Sequence, residues 1–495
     1  MSVKIIYKDI ALGADADAEV TTTSAQAFSQ TDLIPFGAAN PAFATCEHNG
    51  WGLTHDYVVR DTQPIAFWSN NTSNASCHFA SSAIPKITLT FSEQYSSTGL
   101  TIRFAPEAMD YCTKIFVEWY RNDTLIYGDT FTPDSPIFII NQPIEAFNKI
   151  VIEFMDTNLP YRRCKVEEIL IGVIREFDAD ELKDVSAVHQ IDLTSETIPI
   201  NVLDAEIHSN ENIDFIFQKK QPVAVYNDGE LVGNYFIEKG KKTSQTDFAL
   251  SCQDAIGLLE LATTKGGLWL EDTPLTEILN TAIKSPVTFE IDTAYANSTL
   301  RGFIQPDIKE REALQQIAFA LGAIVDTSNS TKIRIFPPPE TVNGDIPATE
   351  TYIGGTVDTS DTVTEVTVTA YIISDERPTD NEQSIEYNGI KYKYYTETKH
   401  AKNPNTVTSD PENIKKFDKS YLCNLSNAQT LADKLMAHYQ KRDKYTFSHI
   451  LNGQHAGGKY TGFLPWEAAT QGIITKMSLS LSNMTVCNTE MVLDE

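Results

Sequence analysis

The apolar positions alternate with polar ones along much of the chain, with a period of two that marks strands buried on one face. Between Phe79 and Val173 the pattern gives Ile87, Leu89, Phe91; Leu100, Ile102, Phe104; Ile115, Val117, Trp119; and Ile150, Ile152, Phe154. Turn clusters separate these runs: Ser96-Ser97-Thr98-Gly99, Arg121-Asn122-Asp123 and Asn141-Gln142-Pro143. The spacing predicts a β-sandwich whose core contains Ile87, Leu89, Leu100, Ile102, Ile150 and Ile152. A second β block runs from Asp184 to Ser251, where Asn227-Asp228-Gly229 supplies the positive-φ residues of a tight hairpin. Cys252-Gln253-Asp254-Ala255 then leads into a short helix.

The period changes after Gly266-Gly267. Pro274 opens a helix with Leu275, Ile278, Leu279 and Ala282 on one stripe, and Leu314, Ile317, Ala318 and Leu321 form another that Gly322 closes. A strand at Lys332 to Phe336 and the stiff Pro337-Pro338-Pro339 complete a small α+β unit. From Tyr352 the alternation returns, in Thr362 to Ile373, in a hairpin around Asn388-Gly389 and in Met477 to Val486. One helix interrupts it, with the stripe Ala428, Leu431, Ala432, Leu435, Tyr439 and a capping box between Ser426 and Gln429. The chain therefore reads as mainly β and multidomain: an N-terminal arm at 1–39, a sandwich at 40–177, a β-barrel at 178–265, an α+β domain at 266–340, and a second β-barrel with an inserted helix at 341–495.

Composition narrows the function. With 41% apolar and 21% charged residues the chain is ordinary folded protein. Its 39 basic against 67 acidic residues give a formal charge of -28, which repels phosphate backbones and anionic lipid and argues against nucleic-acid binding. The first twenty residues hold no secretory apolar core and no stretch has the length of a membrane span, so folding in the cytosol without a membrane anchor is expected. Seven scattered cysteines, with no Cys-x-x-Cys pair, predict buried free thiols.

The stretch Val223 to Leu259, followed by Arg311-Glu312-Ala313-Leu314-Gln315-Gln316-Ile317-Ala318 and by Trp466 to Met477, resembles the baseplate hub, or tail-associated, proteins of phages infecting Gram-positive bacteria. The resemblance covers roughly residues 180–495 and implies two hub-type barrels separated by the α+β unit. It implies a homotrimer whose six barrels form a ring under the hexameric tail tube and line its channel. The implied partners are further copies of the chain, the distal tail or tail-tube protein, the tape-measure protein and the tip or receptor-binding fibre proteins. The implied place is the tail tip, or baseplate, of a virion or a phage-like particle assembled in the host bacterial cytoplasm. Longer relatives carry fibre or peptidoglycan-cutting domains beyond the second barrel, which are not seen before Glu495.

Residues 1–177 differ. Trp51-Gly52-Leu53, Phe67-Trp68-Ser69-Asn70 and Arg162-Arg163-Cys164-Lys165-Val166-Glu167-Glu168-Ile169 resemble a galactose-binding-like, discoidin-type jelly roll. That likeness implies a rival function, adhesion to host cell-wall glycan, with Trp51, Tyr57, Arg60 and Trp68 as the carbohydrate-binding candidates because aromatic faces and an Arg fork suit sugar rings.

No nucleophile-elbow, zinc-protease, phosphate-loop or dinucleotide motif occurs, so neither a cofactor nor an enzymatic activity is expected. Asp110 and Glu118 as a glycosidase dyad, Cys46, Glu47, His48, His55, Cys77 and His78 as a zinc set, and Asp15-Ala16-Asp17-Ala18-Glu19 as a calcium loop are each weaker than the reading as surface, loop or core residues.

Overall fold

The protein is described from a computed structural model that covers all residues except 1–2, 12, 24–42, 45–58, 61–66, 106–108, 211–216, 408–410, 467, 483–485 and 495. It divides into two units, Tyr7–Arg175 and Met1–Ile6 with Glu176–Glu495. The architecture is mainly β and multidomain. No helix among the described residues is long and apolar enough to cross a membrane.

In the Tyr7–Arg175 unit a five-stranded antiparallel sheet runs in the order Glu19–Thr22, Lys86–Ser97, Ile144–Thr157, Cys112–Arg121, Thr124–Phe131. A second layer pairs Ile137–Ile140, Leu100–Arg103 and Glu168–Leu170, and the chain passes repeatedly from one layer to the other, as in a jelly roll. Register explains the core. Ile152 lies opposite both Ile87 and Val117, and Ile150 opposite both Leu89 and Trp119, so two cross-strand rows of apolar side chains face the other layer. Leu100, Ile102 and Ile169 fill that face, and all six positions expected in this core are buried. Ala146, at φ 54, marks a bulge in the long Ile144–Thr157 strand, where its carbonyl accepts from Arg121 Nε at 2.8 Å.

The other unit is built on one continuous sheet, in which the short Gly344–Asp345 strand runs parallel to Lys459–Phe463 and the strands given next pair antiparallel. Its strands follow the order Pro222–Asn227, Glu230–Lys242, Asp247–Gln253, Val202–His208, Leu182–Gln190, Ala469–Ser480, Val486–Leu493, Asp443–Ile450, Thr356–Thr359. The first β block meets the second where Leu182–Gln190 pairs with Ala469–Ser480, with Ala187 opposite Leu479 and His189 opposite Met477. Both sequence-marked hairpins close as expected, with Asp228 and Gly229 at φ 49 and 86 and Asn388 and Gly389 at φ 52 and 74.

The α+β core draws on two stretches of chain. Leu275, Ile278, Leu279 and Ala282 of helix Leu275–Ala282 and Leu314, Ile317 and Ala318 of helix Glu310–Leu321 pack with Val366, Val368 and Ala370 of strand Glu365–Ile373 and with Leu431, Ala432 and Leu435 of helix Ala428–Gln440. The segment from Val363 to Tyr439 thus shares the α+β core, while residues 344–359 and 443–493 supply the second β block. The capping box does not form. Helix Ala428–Gln440 starts after Asn427, whose side chain accepts from Asn424 N at 2.8 Å, and Ser426 hydrogen-bonds to Asn424 Oδ1 instead. Gln429 turns away to His400 O and Asp433. Cys112, Cys164, Cys252, Cys423 and Cys487 are buried free thiols, whereas Cys77 is partly exposed.

Ile102 is fully enclosed between the sandwich layers, so Ile102→Ala should cost about 2–5 kcal/mol, read as a lower urea midpoint for the transition of this unit. An unchanged midpoint would remove the strand from the core.

Candidate functional site

Trp51 and Tyr57 lie outside the described residues, as do Cys46, Glu47, His48 and His55. Arg60 belongs to the short strand Val59–Arg60, opposite Phe43. Trp68, on strand Phe67–Thr72, is 5% exposed rather than presented to solvent. Its strand partner Lys165 is itself buried and holds its ammonium 5.4 Å from the centre of the Trp68 ring. That ammonium donates to Asp110 Oδ2 at 2.9 Å, and Arg162 Nε donates to Asp110 Oδ1 at 3.2 Å. Two positions singled out from sequence, one as a sugar platform and one as a catalytic carboxylate, therefore belong to one buried ionic cluster. A ring so buried, with an ammonium beside it, offers no face to a sugar, and the Asp110 carboxylate is taken up by two cations inside the protein. Glu118 stands on another strand, opposite Val151 and Gly128.

The remaining candidates have local structural roles. His78 Nδ1 pairs with Asp156 Oδ1 at 2.5 Å, and Cys77, at φ 67, sits in the turn before it. Asp17 anchors the strand Lys86–Ser97 by accepting from Ser92 N, Ser92 Oγ and Glu93 N, and the Ser92 hydroxyl holds its carboxyl below the usual range. Among the described residues no group of three His, Cys, Asp or Glu side chains is placed to hold a metal.

The second unit concentrates its buried polar groups where the two β blocks and the helices meet. Asp254 caps helix Ala255–Leu261, its Oδ1 accepting from Ile256 N at 3.1 Å and Gly257 N at 3.2 Å. Its other oxygen accepts from Asn201 N at 3.1 Å and Thr327 Oγ1 at 2.6 Å, and the Asn201 amide reaches both Thr327 and Gln190. Burial pushes this carboxyl up to about 6. Next to the seam, His189 Nε2 is hydrogen-bonded to Tyr235 Oη at 2.5 Å, and burial pulls the imidazole down to about 4. Arg334 pairs with Asp326, which also holds Ser328 N at 2.9 Å and Ser328 Oγ at 2.7 Å. Farther out, Ser195 Oγ donates to Ala323 O at 2.5 Å and Arg311 Nε to Ile198 O at 2.8 Å, lashing the connecting segment to the helices.

Only Asp254 carried a sequence signal, as a helix start. His189, Tyr235, Asn201, Thr327 and Asp326 are single polar residues in ordinary strand or loop contexts, and nothing local marks them as partners. At the far end of the second block the exposed Ile353 and Trp466 lie in two loops that both meet the Tyr445 side chain, Gly355 against its ring and Phe463 O accepting from its hydroxyl at 2.8 Å. The unit thus shows a braced joint and apolar loop ends, with Asp254, His189, Tyr235 and Asp326 occupied in holding elements together.

Asp110→Asn removes the carboxylate that pairs with both buried cations, Arg162 and Lys165, and should destabilise the sandwich unit by about 3–5 kcal/mol in urea unfolding, whereas equal stability would mean the cluster is hydrated. The His189 prediction concerns pH. Its folded pKa lies below the unfolded value, so the unfolded chain takes up the proton first and the stability tied to neutral His189 is lost as pH falls from about 6.5 to about 4. The stability difference between the wild type and His189→Gln should therefore shift against the wild type by roughly 3 kcal/mol over that window. A pH-independent difference in paired denaturation curves would contradict this. Asp254 works in the opposite sense, its raised pKa making the folded state less costly as pH falls through about 6, so the comparison must be made within the pair of proteins.

No protein-family model matches the sequence, and no curated protein matches it. Among solved structures the chain is similar to the tail protein from Neisseria meningitidis, with a TM-score of 0.44 and 13% identity over 64% of this chain and 93% of that one. It is similar to a prophage tail protein from Shewanella oneidensis, with a TM-score of 0.44 and 10% identity over 65% of this chain and 95% of that one. A prophage tail protein from Listeria monocytogenes aligns with a TM-score of 0.43 and 9% identity over 65% of this chain and 91% of that one.

Proposed function

We propose that this chain is a structural hub protein at the distal tip of a phage tail or phage-like particle. The observation that carries the reading is the pairing of Leu182–Gln190 with Ala469–Ser480, which joins two β blocks of one subunit into a single sheet around an α+β core. In the proposed assembly three copies bring six such blocks, enough to meet a sixfold tube while the rest of the tip stays threefold. Its partners are its own copies, the tube, the tape-measure protein and the tip fibres, and its work is symmetry adaptation and passage through a channel rather than bond-making.

Charge constrains such an assembly. Three copies carry 3 × -28 = -84 before counterions, so repulsion opposes association and salt relieves it. Acidic channel walls also suit transit, because basic walls would hold phosphates by counterion release. The purified chain should therefore sediment as a trimer whose association tightens as salt rises toward physiological strength, and electron micrographs should show a hollow threefold object. A monomer at every salt concentration that joins no tail component, or a trimer that dissociates on adding moderate salt, would overturn the reading.

A further inference from the structure

The junction unit leaves a cleft of about 440 Å³, within the range of pockets that hold ligands. Pro337-Pro338-Pro339 forms one wall, Leu431 and Leu435 of helix Ala428–Gln440 another, and Ile473 of the second β block a third. The proline run has no N–H groups, so it offers ring surfaces and backbone acceptors without competing donors. Such a wall suits an extended chain laid along it.

The rim is cationic in a protein that is strongly acidic overall. Lys434, Lys441 and Lys459 line the cleft against a single carboxylate, Glu340, at the end of the proline wall. Lys441 and Lys459 already show what they take, each holding one oxygen of Asp494 at 2.6 Å. Lys434 is different. Its stem crosses Gly322, the helix C-cap at φ 60, where a Cβ would come within 3.0 Å of Lys434 Cδ. Its ammonium donates to Leu321 O at 3.3 Å, and no carboxylate among the described residues pairs with it. Desolvation alone holds its pKa below the usual lysine value, as expected for a cation lacking a counter-charge. Its ammonium also lies 5.8 Å from the centre of the Tyr295 ring, and the N–H groups not given to Leu321 O remain for a ligand.

We propose that this cleft binds an extended peptide segment of a partner protein in which apolar side chains flank a carboxylate. The apolar groups lie against Pro337–Pro339, Leu435 and Ile473, and the carboxylate meets Lys434. Charge complementarity selects this occupant: with Lys441 and Lys459 held by Asp494, Lys434 is the cation that attracts a carboxylate and repels a basic side chain, and the apolar walls give a purely polar acidic segment nothing to bury.

The test uses the full chain and fluorescein-labelled hexapeptides followed by anisotropy: alternating Leu and Glu, alternating Leu and Lys, and alternating Ser and Glu. Saturable binding of the Leu/Glu peptide alone is expected. Lys434→Gln should weaken it by roughly fivefold, the worth of a rim ion pair, and Lys434→Arg should retain it. Ala437→Trp, at an exposed position of the same helix, fills the cleft and should weaken binding by about tenfold or more with circular dichroism unchanged. Equal binding of the Ser/Glu peptide, or indifference to both Lys434→Gln and Ala437→Trp, would overturn the proposal. So would octanoate binding where no peptide binds, which would make the cleft a small-molecule site. Loss of self-association in Ala437→Trp would assign the cleft to a second copy and overturn it equally. Trimer formation is read separately by sedimentation, so a failure here leaves the hub reading standing.

Discussion

The second unit depends on the register between two strands nearly 300 residues apart. Leu182–Gln190 and Ala469–Ser480 are paired so that Val185, Ala187, Met477 and Leu479 are buried, and a slip of one residue would turn that set toward solvent. Everything between residues 191 and 468 is a closed loop on this pairing. Closing such a loop costs conformational entropy that grows slowly with length, and local ladder bonds alone do not offset it. The α+β core provides the rest, because it packs the earlier and later parts of that loop, from Ile198 to Ile335 and from Val363 to Met436, into one apolar cluster.

Polar groups lock that arrangement. Asp254 is a helix cap, yet its second oxygen binds Asn201 and Thr327, so one carboxylate joins the first β block, a helix and the strand region beside it. A buried carboxylate is costly unless it is fully hydrogen-bonded, and four donors satisfy this one. His189 and Tyr235 satisfy each other in the same way. Their titrations oppose each other near pH 4–6, Asp254 gaining and His189 losing as pH falls, which flattens the response of the joint to acid.

The sandwich unit follows a different plan. Its apolar rows arise from alternation within neighbouring strands, and the buried cluster of Asp110, Arg162 and Lys165 sits apart from them beside Trp68. Asp110 holds both cations, one on the strand Arg163–Val166 and one just before it, so the cluster fixes how that strand meets its neighbours. A Trp and an Arg-Arg-Cys-Lys run look like surface chemistry in a linear sequence. Here Trp68, Arg162, Cys164 and Lys165 are interior.

The helix stripes of Leu275–Ala282 and Glu310–Leu321, the two positive-φ hairpins and the alternating strands of the sandwich were legible in the sequence, because each is set by residues two to four positions apart. A mainly β, multidomain chain follows from them. The Ser-x-x-Gln spacing at the start of helix Ala428–Gln440 fits a capping box, but Asn424 Oδ1 accepts from both Ser426 N and Ser426 Oγ, and Asn427 accepts from Asn424 N. Three things were decided only by tertiary structure: that the Val366, Val368, Ala370 strand joins the helices rather than the second β block, that Trp68 and Asp110 are interior, and that Asp254 and His189 face a joint. The reason is physical. Alternation specifies which face of a strand is apolar but not which apolar surface will cover it, and a polar residue's burial depends on partners that the fold brings from 50 to 300 residues away.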